Sequence, residues 1–180
     1  MLAAAISAGC NDLAGLGDPA YENRVDTLTL YAVNGTPLWT PSAYLLATKT
    51  TYHLGIETLP YDFDFLYRID PEGPVFVPFG AFEPDSTQTG LPGFIPTTEA
   101  FDAIGDGQQG GYVTGEPMPL EVGRVLFARS GLPNGCSLEI PYYAKMEVLS
   151  LDQETRSVRF RILTNNNCGF RGLLPGYPER

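Results

Sequence analysis

The chain has 180 residues, 11 Lys plus Arg against 21 Asp plus Glu, and a formal net charge of -10. That length fits one domain with a short tail and buries a core without staples. The acidic balance excludes a nucleic-acid footprint, because the one local basic run is Arg156, Arg159 and Arg161, and it opposes adhesion to anionic lipid by charge alone.

Residues 1–24 read as a signal remnant and tether. Cys10 follows Ser7-Ala8-Gly9 and the apolar stretch Leu2 to Ile6. Small residues and then Cys resemble the end of a bacterial lipoprotein signal, in which the chain is cut before the Cys and the Cys is lipidated. Ser7 stands where Leu is usual, and no basic n-region precedes the apolar stretch. A start codon placed too far downstream accounts for both departures. Residues 11–24 have no strand period.

Val25 to Val33 is rich in β-formers, and Asn34-Gly35 follows at once. That pair predicts a hairpin, because both residues tolerate positive φ. Pro37 and Pro41 place the return arm at Ala43 to Thr50. Asp62 to Ile69 alternates, with Phe63, Phe65, Tyr67 and Ile69 on one face and Asp62, Asp64 and Arg68 on the other with Leu66. The turn Asp70-Pro71-Glu72-Gly73 and the run Val75 to Phe79 make a second hairpin. Residues 80–97 read as a long Pro/Gly-rich loop, a kind of segment that is usually functional or disordered. Residues 97–104 fit either a helical turn or a strand, 106–111 a Gly-rich link, and Val122 to Arg129 a strand.

Tyr142 to Ser150 and Arg156 to Thr164 flank a turn at 151–155. Ala144, Met146 and Val148 share one face, and Val158, Phe160 and Ile162 another. A register whose paired numbers sum to an even value joins the two apolar faces. Cys136 and Cys168 lie at nearly matched distances beyond this hairpin, which predicts a disulfide closing a loop of about 30 residues, worth roughly 3–4 kcal/mol. With Cys10 set aside, that even pair suits an oxidising compartment. No apolar run reaches the length of a transmembrane helix. The whole reads as all-β: an antiparallel β-sandwich or partly open barrel over 25–171, with long Pro/Gly-rich loops and an extended tail at 172–180.

The chain is poor in catalytic signatures. Its single histidine, His53, lacks the second His of a metalloprotease helix. Ser42 and Ser130 are outside any Gly-x-Ser-x-Gly elbow. Asp62 and Asp64 place two carboxylates on one strand face, which reads as the solvated face of an alternating strand rather than a cation site or an acid–base pair. Asp102 and Asp106 do not meet a calcium-loop pattern, and Asn34-Gly35-Thr36 is better explained by its turn than as a glycosylation site. No metal ligand set, no cofactor motif and no catalytic residue is expected. Among 21 aromatic residues most must be core, but Trp39, Phe82, Phe94 and Tyr177 lie beside Pro or Gly in irregular segments and are the candidate partner contacts.

The block Asp26 to Pro37, together with Tyr143-Ala144-Lys145-Met146 through Arg156 and Asn165-Asn166-Asn167-Cys168-Gly169-Phe170-Arg171, resembles a group of small uncharacterised bacterial lipoproteins. The resemblance implies export to the extracytoplasmic (periplasmic) side, a membrane anchor at lipidated Cys10, and no catalytic residue. By analogy it implies an extrinsic structural subunit of an integral membrane-protein complex, such as a photosynthetic reaction-centre and light-harvesting complex. The alternative is a periplasmic small-molecule or carbohydrate binding module, with Trp39 and tyrosines ringing a cleft.

Overall fold

The computed structural model describes residues 17–54, 63–132, 135–136 and 138–179. Its strands are β1 (Val25–Tyr31), β2 (Ala43–Leu45), β3 (Thr50–Tyr52), β4 (Phe65–Asp70), β5 (Gly73–Pro78), β6 (Gly93–Thr97), β7 (Met118–Pro119), β8 (Val125–Arg129), β9 (Tyr143–Asp152) and β10 (Ser157–Asn165). The one α-helix among the described residues, α1 (Phe79–Phe82), is a single turn. Two antiparallel sheets form, in the orders β1-β10-β9-β8-β6 and β3-β2-β4-β5-β7. Neither closes on itself, and they pack face to face as a β-sandwich.

Alternation supplies the interior. Leu30, Leu126, Met146, Phe160 and Ile162 from the first sheet meet Tyr44, Phe65, Tyr67 and Phe76 from the second in one core. Its centre is aromatic: the Phe65 and Phe76 rings lie 4.9 Å apart, Phe94 stacks on Phe76 at 5.8 Å, and Phe160 meets Phe76 edge-on at 5.4 Å. Tilted and edge-on pairs of this kind add about 0.5–1.5 kcal/mol each beyond area burial. Both outer faces are covered as well. Phe101, Ile104, Phe127, Tyr143, Leu163 and Leu173 cluster over the first sheet, and Leu54, Phe63, Leu66, Val75 and Val77 over the second.

The hairpin β4–β5 forms where its turn residues place it, with Asp70 paired to Gly73. The β9–β10 hairpin carries a bulge. From Phe160↔Val148 to Asn165↔Tyr143 the paired numbers sum to an even value, as the apolar faces require, but Ser157↔Asp152 to Arg159↔Ser150 are shifted by one. Leu149 is the extra residue. Beside it, Val148 exchanges backbone bonds with Gly123 and Arg124, and beyond it the face inverts so that Leu151 packs on the core with Val158. Cys136 and Cys168 form the expected disulfide, with Cα atoms 5.4 Å apart. Hairpin register alone would set residue 140 opposite Cys168. Backbone bonds from Cys136 N–H to the Ile140 carbonyl and from Glu139 N–H to the Cys136 carbonyl bring Cys136 back to it.

Three expectations are corrected. Asn34-Gly35 is not a hairpin turn: β1 pairs with β10, and the chain crosses from the first sheet to the second. The Asn34 side chain takes the place of a strand, its Nδ2 donating to the Ile69 carbonyl and its Oδ1 accepting from Ile69 N–H. Second, 80–97 is not one long loop, because 93–97 is the edge strand β6 on β8, where exposed Pro96 sits without a missing ladder partner. Third, Asp64 is not on a solvated face. It is 1% exposed, and Phe63 packs with Leu66 on the outer cluster rather than with Phe65 and Tyr67.

Asp64 stands at the head of β4, held by its N–H on the Tyr44 carbonyl and by Phe79 N–H on its own carbonyl. One carboxylate oxygen accepts Leu46 N–H at 2.7 Å, beyond the end of β2 in the second sheet. The other accepts Gly131 N–H at 2.8 Å, just past β8 in the first. A single buried side chain thus ties the two layers. Asp64→Ala leaves both donors buried and unpaired and is expected to cost about 2–5 kcal/mol. Asp64→Asn, which keeps one acceptor, should cost less. Urea unfolding midpoints of the three proteins check this order.

Candidate binding surfaces

Two features outside the core bring side chains together in a form suited to recognition. The first is the crossover between β1 and β2. Thr36 Oγ donates to the Ala32 carbonyl at 2.6 Å and lies 3.0 Å from Thr40 Oγ, and Thr40 Oγ and N–H both donate to the Pro37 carbonyl. Arg156 Nε donates to the Asn34 carbonyl, closing the loop onto the β9–β10 turn. Gly35 holds φ 80°, a conformation that strains other residues, and a Cβ there would press on the Arg156 side chain at 2.9 Å from Nε. From this pinned loop Leu38 is 57% exposed and Trp39 71%.

The second is a groove at the end of the sandwich where the N-terminal segment enters. It is built by the run Asn165-Asn166-Asn167 at the end of β10. Asn167 Oδ1 accepts the N–H groups of Ala20 and Tyr21, and its Nδ2 donates to the Tyr21 carbonyl. Asn166 Nδ2 donates to the Leu46 and Ala47 carbonyls in the β2–β3 turn. Asn165 Nδ2 donates to the Gly172 carbonyl, and its Oδ1 accepts from Asn167. Each side chain fixes a different wall. Between them lies an open hollow of about 640 Å³, lined by Tyr21, Tyr142, Tyr177, Glu22, Arg24 and Lys49 among others. An adjoining hollow of about 510 Å³ shares Tyr21, Tyr142 and Asn166 and reaches Asp18 and the disulfide. Lys49 holds a left-handed backbone at φ 55°, which costs a side-chain-bearing residue on the order of 1–2 kcal/mol and glycine nothing.

The residues singled out in the sequence divide as follows. Trp39 and Tyr177 (59% exposed) are accessible, at different places: Tyr177 lines the groove and Trp39 does not. Phe94 is 1% exposed in the aromatic core and is not a contact residue, because β6 turns it inward. Phe82 is half-buried, its ring 5.5 Å from Phe63. The segment expected as an extended tail folds back: Gly176 bridges Asn23, Gly172 bridges Asp106, and Leu173 is fully buried. Cys10 and Asp62 lie outside the described residues. Ser42 Oγ accepts Leu54 N–H, and Ser130 Oγ accepts Tyr142 N–H. Asp102 reaches Arg161. His53 is half-buried just after β3. Among the described residues no three His, Cys, Asp or Glu gather as a metal site would require. Nothing in the sequence marks the asparagine run as the frame of a groove.

One buried titratable group stands apart from both features. Lys145, 1% exposed on the outer face of β9, donates through Nζ to the Ile104 carbonyl at 2.9 Å and lies 4.7 Å from the centre of the Phe101 ring. Burial lowers its pKa, Arg161 adds to that, and Asp102 opposes it. No family model, no curated protein and no solved structure matches this chain.

The Lys145 environment has a pH signature. In the unfolded chain lysine holds its proton up to about pH 10.4; in the fold it releases it sooner. Between the two values the unfolded state binds more protons, so stability rises with pH there. Lys145→Met lacks this contribution. Its stability relative to the parent is expected to be most favourable near neutral pH and to decline as pH approaches ~10. Urea midpoints of both proteins across that range test it, and a pH-independent difference would contradict a buried, charged amine.

Proposed function

We propose that the protein is a non-catalytic, extracytoplasmic lipoprotein that serves as an extrinsic structural subunit of an integral membrane-protein complex. The specific complex favoured by the family resemblance is a photosynthetic reaction centre with its antenna. The observation that carries the reading is the pinned loop that presents Leu38 and Trp39 to solvent. An exposed tryptophan on a mobile loop loses entropy on binding, whereas one on a loop already fixed by five side-chain and backbone bonds loses little. Tryptophan anchors of this kind dominate protein interfaces. The disulfide supports an oxidising compartment. Attachment through Cys10 supplies proximity to the membrane, and Trp39 supplies the second contact that one lipid chain needs for stable residence.

A photo-reactive amino acid at position 39, introduced in the native host, is expected to crosslink to an integral membrane protein. The same group at Val122, which is 63% exposed on another loop, is the control and is expected not to. Trp39→Ala should weaken retention on the complex by about tenfold or more, with an unchanged unfolding midpoint. Full retention of Trp39→Ala, or crosslinking that does not distinguish positions 39 and 122, would overturn the reading.

A further inference from the structure

The geometry points to the tyrosine-lined groove as a binding site for an anionic saccharide, with pyranose rings on the tyrosine faces and a carboxylate on Lys49. This goes beyond the subunit role and does not depend on it. The size is right for a small ligand: about 640 Å³ lies within the range of small-molecule sites, which combine aromatic lining with a few placed polar groups. Tyr21 and Tyr177 are 63% and 59% exposed, and Tyr142 is half-buried between the two hollows. Open aromatic faces of this kind suit the C–H faces of sugars, while phenol hydroxyls can bond ring hydroxyls.

The charge of the larger hollow differs from that of the molecule. Against a net -10 for the chain, it holds Arg24, Lys49 and Glu22, with Asp18 only in the adjoining one. Arg24 is engaged by Glu22 at 2.8 Å. Among the described residues Lys49 forms no ion pair, so its ammonium is the positive charge left for a ligand.

Lys49 also stands where the backbone would choose otherwise. Among the described residues, three that are not glycine have positive φ: Lys49, Glu139 and Arg156. Arg156 is accounted for by its bond to the Asn34 carbonyl. At Lys49 a glycine would serve the turn better, and strained residues of this sort gather at binding sites. The strain is explained if the side chain, rather than the turn, is what the position is for. The walls are held independently of any ligand by the asparagine run, so binding requires no ordering of the backbone.

The test is a titration of the full chain, followed by amide NMR shifts, with trigalacturonic acid, its neutral counterpart galactotriose, and an acidic hexapeptide. The expected result is saturable shifts at residues 20–24 and 47–49 with the uronate, about tenfold tighter than with the neutral sugar. Lys49→Gly should remove that preference while leaving the unfolding midpoint unchanged or higher, because it relieves the left-handed strain. Tyr21→Ala and Tyr177→Ala should weaken both sugars. No saturable shift with the uronate by about 10 mM would overturn the proposal, as would equal binding of the uronate to Lys49→Gly. Saturation by the hexapeptide alone would also overturn it and assign the groove to a protein segment.

Discussion

The buried carboxylate of Asp64 is the constraint around which the two layers are arranged. A sandwich of two open sheets is held mainly by non-directional apolar contact, which specifies that the layers meet but not how far one slides over the other. Asp64 supplies direction. Its two oxygens accept from Leu46, just beyond β2 of one sheet, and Gly131, just past β8 of the other, at 2.7 and 2.8 Å. A buried charge without such partners would be prohibitively costly, so the positions of both donors are coupled to it. The aromatic centre then packs in the register this tie allows, with Phe65 one residue away against Phe76, Phe94 and Phe160.

The same logic of polar side chains standing in for backbone recurs at the periphery. Asn34 completes the pairing of Ile69, and the asparagine run at 165–167 pins the N-terminal segment, the β2–β3 turn and the returning C-terminal segment. These segments contribute little regular structure. Fixed in this way, they form rims that carry the exposed aromatic side chains found among the described residues: Trp39 on one loop, Tyr21 and Tyr177 beside the groove.

Period-two alternation made the all-β class, the β4–β5 hairpin, the β9–β10 hairpin and the disulfide legible in the sequence, because each depends on local pattern or near symmetry about one turn. What it hid depends on long-range polar bonds. Asp64 reads as the solvent side of an alternating strand until Leu46 and Gly131 are brought to it. Asn34-Gly35 reads as a hairpin because the pair is satisfied locally in most chains, whereas here Asn34 bonds a residue 35 positions away. The bulge at Leu149 leaves the composition of the strand unchanged, and β6 is short, preceded by Pro92 and interrupted by Pro96. At the binding surfaces, Trp39 and Tyr177 were visible as aromatics among turn residues. Phe94 carried the same signal and lies in the core. The groove is not legible, since its lining comes from segments far apart in sequence and its asparagine frame bonds partners as far as 147 residues away.

The proposed role as an anchored, extracytoplasmic subunit is tested most directly by purifying the protein from its native membranes in mild detergent and measuring, in the same sample, its N-terminal peptide mass and the proteins that travel with it. The expected result is a lipid-modified peptide beginning at Cys10 and an integral membrane complex in fixed stoichiometry. An unmodified N-terminus on a free monomer would contradict it.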